Sequence, residues 1–117
     1  MCYPVIDTTL PDGWNLIRLS GKPGAAVAAR AQEFSPVYNV TTGAPPTLIL
    51  HGTVDTLTPI AWSERFVTAM KACGNPVELV PFEGKRHAFI TRGYGDDTTI
   101  LQALERVNVF LRSLGWL

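Results

Sequence analysis

The chain has 117 residues, of which 46% are hydrophobic and 17% charged, and its ten basic and ten acidic side chains cancel. Such a composition belongs to one folded domain, residues 1–117, and excludes a disordered chain. The balanced charge carries no electrostatic footprint for nucleic acid or an anionic membrane, and no apolar run approaches the roughly 20 residues needed to span a bilayer.

Met1, Cys2, Tyr3, Pro4, Val5 and Ile6 read as a strand. Pro4 cannot donate to a sheet ladder, which places that strand near an edge or at a kink. Met1 is read as the start of the chain. Neither a basic nor an apolar leader follows it, so no signal peptide is expected and the cytoplasm is the default compartment. Residues 10–24 carry Pro11, Gly13, Gly21, Pro23 and Gly24 and predict a loop, with Trp14 packing it onto something apolar. Residues 25–34 are alanine-rich and favour a helix, which Ser35-Pro36 ends.

After a connector containing Gly43, Pro45 and Pro46, the run Thr47-Leu48-Ile49-Leu50 predicts a short buried strand. His51-Gly52-Thr53-Val54-Asp55 turns the chain, and Pro59 suits the first turn of a helix over 59–73. That helix is apolar at Ile60, Phe66 or Val67, Met70 and Cys73, and Gly74 closes it. Trp62 is expected to pack rather than to line a pocket. Val77-Glu78-Leu79-Val80-Pro81-Phe82 predicts the next strand. Asp96 or Asp97 caps a last helix with Ile100, Ala103, Leu104, Val107, Phe110, Leu111 and Leu114 along one face. Strands alternating with helices predict an α/β fold, three-layered, with a short parallel sheet of three strands.

Asp55 and His87 stand out chemically. Each follows a predicted strand on a loop, where open α/β sheets place their ligands and chemistry. Parallel neighbours lie about 4.8 Å apart, so side chains at adjacent strand ends can meet. An acid that fixes and stabilises an imidazole, and an imidazole that moves a proton, are two members of a catalytic triad. Asp55 also fits a plain turn carboxylate, and His87 a surface loop histidine. His51 reads as a structural strand-end residue. Cys2, Cys73 and the two histidines lack the ligand spacing of a zinc site, and the thiols are expected to be reduced. No metal or organic cofactor is expected.

His51-Gly52-Thr53-Val54-Asp55 through Pro59, then Gly74-Asn75-Pro76-Val77-Glu78-Leu79, Phe82-Glu83-Gly84 and His87-Ala88-Phe89, resemble the C-terminal half of an α/β-hydrolase. The nearest flavour is the acetyl-esterase and carboxylesterase-like group, related to prolyl-oligopeptidase-type peptidases and dienelactone hydrolases. Tyr3-Pro4-Val5-Ile6-Asp7 resembles the sixth strand of that family, and Phe110-Leu111-Arg112-Ser113-Leu114-Gly115 its terminal helix. The resemblance implies Asp55 as the triad acid, His87 as the general base, and short-chain carboxylic esters as substrates, with peptides as the less favoured class.

The family's nucleophile sits in Gly-x-Ser-x-Gly on a strand-to-helix elbow N-terminal to both partners. The four serines here, Ser20, Ser35, Ser63 and Ser113, lack those flanking glycines. The chain is therefore expected to be inactive alone. Its partner is expected to be a second copy, in a homodimer, or a complementary hydrolase half, joined through the strand from Met1 to Ile6, whose open edge invites pairing. The alternative is a non-catalytic, self-associating module.

Overall fold

The structure is a computed structural model that describes residues 1–4, 6–9 and 29–117. The predicted loop over 10–24, with Trp14 and Ser20, and the start of the predicted helix at 25–28 lie outside the described residues. The elements that follow are α1 (Ala31–Phe34), a 3-10 turn (Pro36–Tyr38), β1 (Thr47–Gly52), α2 (Ile60–Ala72), β2 (Val77–Phe82) and α3 (Asp97–Ser113).

β1 and β2 pair in parallel, from Thr47 opposite Val77 to Gly52 opposite Phe82. Alternation along β1 sends its side chains to two cores. Ile49 packs with Ile6 and with Trp62, Phe66 and Met70 of α2 on one face. Leu48 and Leu50 pack with Val80, Phe89 and Ala103 of α3 on the other. Helix, sheet, helix makes three layers, as expected, and Trp62 lies in the core rather than in a pocket.

The predicted third strand shrinks. Residues 1–3 meet β1 through a single parallel bridge, Cys2 to Leu50. Tyr3 N donates to Leu50 O at 2.9 Å, and Leu50 N to Met1 O at 2.9 Å. Tyr3 then takes φ +36°, a left-handed conformation unfavourable for a side chain of its size, and Pro4 has no N–H to continue the ladder. Among the described residues the sheet therefore holds two strands, with this bridge in place of the third.

Pro81 fits β2 for a definite reason. Pro76 O and Phe82 O accept from Thr47 N and Thr53 N of the β1 segment. The even-numbered residues of β2 thus turn their polar groups toward β1, and Pro81 leaves its missing donor on the open edge.

Both long helices end as their glycines require. Gly74 takes φ +70°, with Asn75 N donating to Met70 O and Gly74 N to Lys71 O, both at 2.9 Å, the paired bonds of a Schellman motif. The Asn75 side chain then ties the helix end to the connector, accepting from Gly43 N at 2.9 Å and donating to Thr41 O at 2.8 Å. Asp96 caps α3, accepting from Thr99 N at 2.8 Å. Lys85, 2.8 Å away, and Thr99 hold its carboxyl well below the usual carboxylate range. Along α3, Ala103 is buried and Ile100, Val107 and Phe110 are half-buried, but Leu104, expected on the inner face, is 55% exposed. No helix among the described residues is long and apolar enough to cross a membrane.

Candidate active site

The loops after β1 and β2 are laced together by the backbone. Val54 N donates to Lys85 O at 3.1 Å, and Gly84 N donates to Thr53 Oγ1 at 2.9 Å. Gly52 permits that approach: a Cβ there would fall under 3.0 Å from the Lys85 carbonyl. The lacing brings Asp55 and His87, 32 residues apart, into direct contact, with His87 Nδ1 2.8 Å from Asp55 Oδ2.

Asp55 is held on every side. Its Oδ1 accepts from Leu57 N at 2.9 Å and Thr58 N at 2.8 Å, and its Oδ2 from Thr58 Oγ1 at 2.9 Å as well as from His87. The side chain has no exposed surface. Burial pushes the carboxyl upward, but the bonds from Thr58, His87 and Leu57 outweigh it and leave the group below its ordinary value. A carboxylate with this many donors stays ionised, which is the form an orienting acid needs.

That shift makes a pH prediction with a definite sign. A carboxyl whose folded value lies below the unfolded one stabilises the fold above the unfolded value, 3.8, and loses that contribution as pH falls through the folded one. Asp96 adds to the same acid limb. Melting temperatures taken downward from pH 6 should therefore fall below about pH 4. Asp55→Asn should flatten part of that slope, and equal slopes in the two proteins would refute the assignment.

His87 is 27% exposed at its side chain. Since a carboxylate can only accept, Nδ1 carries the proton, and Nε2 is left as the basic atom. Among the described residues Nε2 has no hydrogen-bond partner. The ring of Tyr3 lies against it, centroids 4.7 Å apart, and the Tyr3 hydroxyl is 2.8 Å from Thr91 Oγ1. Buried Phe89 anchors the loop against Phe82 and Tyr3, and Ala88, between His87 and Phe89 in the chain, takes φ +65°, a strained setting of the kind found beside reactive groups. A cleft of about 210 Å³ opens at His87, between Arg86, Tyr94 and Asp96. A larger concavity of about 520 Å³, along the open edge of β2 and α3, touches neither member of the pair.

His51 is structural, as expected, though its partners were not foreseen. It is fully buried, with Nδ1 2.7 Å from Ser63 Oγ and Nε2 2.6 Å from Thr58 O. Thr58 O can only accept, so Nε2–H donates to it and Nδ1 accepts from Ser63. Ser63 and His51 therefore hold a turn in place and expose no reactive atom. Ser35 is likewise buried, bonded to Thr8 and Ala31, and Ser113 bonds to Phe110 O. Thr58 is the site residue missed from sequence; a hydroxyl residue three positions beyond an acid, just before a helix, was the available signal. No three His, Cys, Asp or Glu side chains among the described residues come together as a metal would require.

A sequence profile of the prolyl oligopeptidase family matches residues 5–114. Among solved structures, the propionate-bound esterase Est2 of the Planctomycetes species Thermogutta terrifontis is similar, with a TM-score of 0.78 and 33% identity over 99% of this chain. Its butyrate-bound form gives the same values. Thermogutta terrifontis esterase 2 phosphorylated by paraoxon gives a TM-score of 0.73 and 37% identity over 83% of this chain. The chain spans 42%, 43% and 36% of those chains, respectively. No curated protein matches. A profile that runs through both strands, both long helices and the two loops meeting at Asp55 and His87 leads to one assignment: this chain belongs to the prolyl oligopeptidase family, with part of an α/β-hydrolase fold.

Proposed function

We propose that this chain supplies the acid–base half of a serine-type hydrolase acting on short-chain carboxylic esters. The observation that carries the reading is the 2.8 Å contact between His87 Nδ1 and buried Asp55, which leaves Nε2 as the base beside a cleft. The names of the similar structures add support, since one is an esterase bound to propionate and another the same esterase bound to butyrate.

In the proposed reaction the nucleophile is a serine from polypeptide outside this sequence. Its oxygen bonds to the acyl carbon while its proton passes to His87 Nε2. The ester C–O bond breaks, and the leaving alkoxide takes that proton. Water then repeats the sequence on the acyl-serine, giving the carboxylic acid and the free serine. Asp55 remains ionised, fixes the tautomer and stabilises the imidazolium.

The test is a chimera: the Thermogutta terrifontis esterase with this chain in place of the matched region, assayed on p-nitrophenyl acetate and butyrate. Turnover abolished by His87→Ala is the expected result, with only background hydrolysis from the chain alone. A chimera that folds yet stays inactive favours the second reading, a non-catalytic self-associating module, toward which the exposed Leu101 and Leu104 of α3 point.

A further inference from the structure

We propose that Thr58 is a positioning residue for His87, an inference that rests on reading Asp55 and His87 as an acid–base pair. Thr58 is fully buried, and every polar atom it has is in use. Its N–H donates to Asp55 Oδ1 at 2.8 Å, and its carbonyl accepts from His51 Nε2 at 2.6 Å. Its hydroxyl lies 2.9 Å from Asp55 Oδ2, 3.2 Å from His87 Nδ1 and 3.3 Å from Tyr3 O.

A hydroxyl has one proton and two lone pairs. The proton belongs on Asp55 Oδ2, the nearest acceptor and a charged one. A lone pair of Thr58 Oγ1 then faces His87 Nδ1, which already faces a carboxylate oxygen. A nitrogen confronted by two acceptors is held in its protonated form, so the hydroxyl and the carboxylate together select the tautomer that leaves Nε2 basic.

Thr58 can do this because it is itself clamped. Ser63 of α2 braces His51, and His51 grips the Thr58 carbonyl. Pro59 follows and fixes the entry into the helix. The Thr58 hydroxyl thus sits at the end of a rigid line running from α2 to the imidazole, whereas His87 stands on a partly exposed loop with Tyr3 as its other restraint.

The chain contains two histidines, so long-range proton–nitrogen spectra of the intact, histidine-labelled protein in mildly alkaline buffer resolve both rings, with His87→Gln assigning them. The expected result is a protonated Nδ1 on His87 in the unmodified chain and in Thr58→Ser. In Thr58→Val the tautomer ratio should shift toward protonated Nε2 by about fivefold, the size of one ordinary hydrogen bond. The His51 signals should stay put, because the substitution removes neither of its partners, the Ser63 hydroxyl and the carbonyl of residue 58, and so they report an intact fold. If Thr58→Val does not fold, Thr58→Ala is read in the same way. A folded variant without the hydroxyl that keeps the original ratio overturns the role of Thr58 and leaves the acid–base pair standing. A His87 ring unprotonated at Nδ1 in the unmodified chain, or unmoved by Asp55→Asn, overturns the pair itself and this inference with it.

Discussion

Asp55→Asn in the esterase chimera should lower kcat on p-nitrophenyl butyrate by about 10³- to 10⁴-fold, the scale on which a catalytic histidine in the wrong tautomer loses rate. The substitution is close to isosteric and the fold should survive it. An asparagine oxygen can still accept from Leu57 N and Thr58 N, the two bonds that close the turn into α2. The change falls on the other oxygen. Oδ2 accepts from Thr58 Oγ1 and His87 Nδ1, and an amide NH₂ in its place can only donate. Two donors facing each other at 2.8 Å repel, so His87 must give up its Nδ1 proton or turn away. In the first case the proton moves to Nε2, and in the second the ring leaves the position Asp55 held it in; either way Nε2 is no longer the positioned base. KM should change little, because the Asp55 side chain is fully buried, and the melting temperature near neutrality should fall by the contribution the ionised carboxylate makes there. A variant within about tenfold of the parent would reduce Asp55 to a turn carboxylate.

The parts of the fold that could be read from sequence are those whose signal is local. β1 opens with four apolar or β-branched residues, Thr47 to Leu50, after Pro46, and β2 is a largely apolar run between Pro76 and Gly84. α2 and α3 carry their own stops in Gly74 and Gly115, both left-handed in the structure. Asp55 and His87 were legible for the same reason, since each follows one of those strands, and parallel pairing then brings them together. What could not be read depends on contacts distant in sequence. The bridge of Cys2 to Leu50, and the break after it at Tyr3 and Pro4, are set by how residues 1–4 dock on β1. The tie of Ser63 through His51 to Thr58 spans a strand end, a turn and a helix face, and no spacing rule announces it. Leu104 keeps helical register with buried Ala103 and half-buried Val107 yet stays exposed, because periodicity marks the apolar face of a helix without saying what covers it.

Gly52→Ala should damage the fold severely. The added carbon would meet the carbonyl of Lys85 at less than 3.0 Å, with Arg86 O at 3.1 Å behind it. Both obstacles are backbone, so no side chain can swing aside. Relief requires the two loops to part, which breaks the Val54 to Lys85 bond and strains the Thr53 to Phe82 bond that ends the sheet. Overpacking and the lost hydrogen bonds together should cost about 3 kcal/mol or more, a large share of the roughly 5–15 kcal/mol that stabilises a typical domain. Gly74→Ala is the control. Gly74 has φ +70° and nothing within 4 Å of the place a methyl group would take, so its substitution carries only the left-handed backbone cost of about 1–2 kcal/mol. Urea unfolding of the two variants beside the parent separates close approach from backbone conformation. Equal midpoints would mean that the loops can part without consequence. A much lower midpoint for Gly52→Ala would establish that the contact bringing His87 to Asp55 is also one on which the sheet end depends.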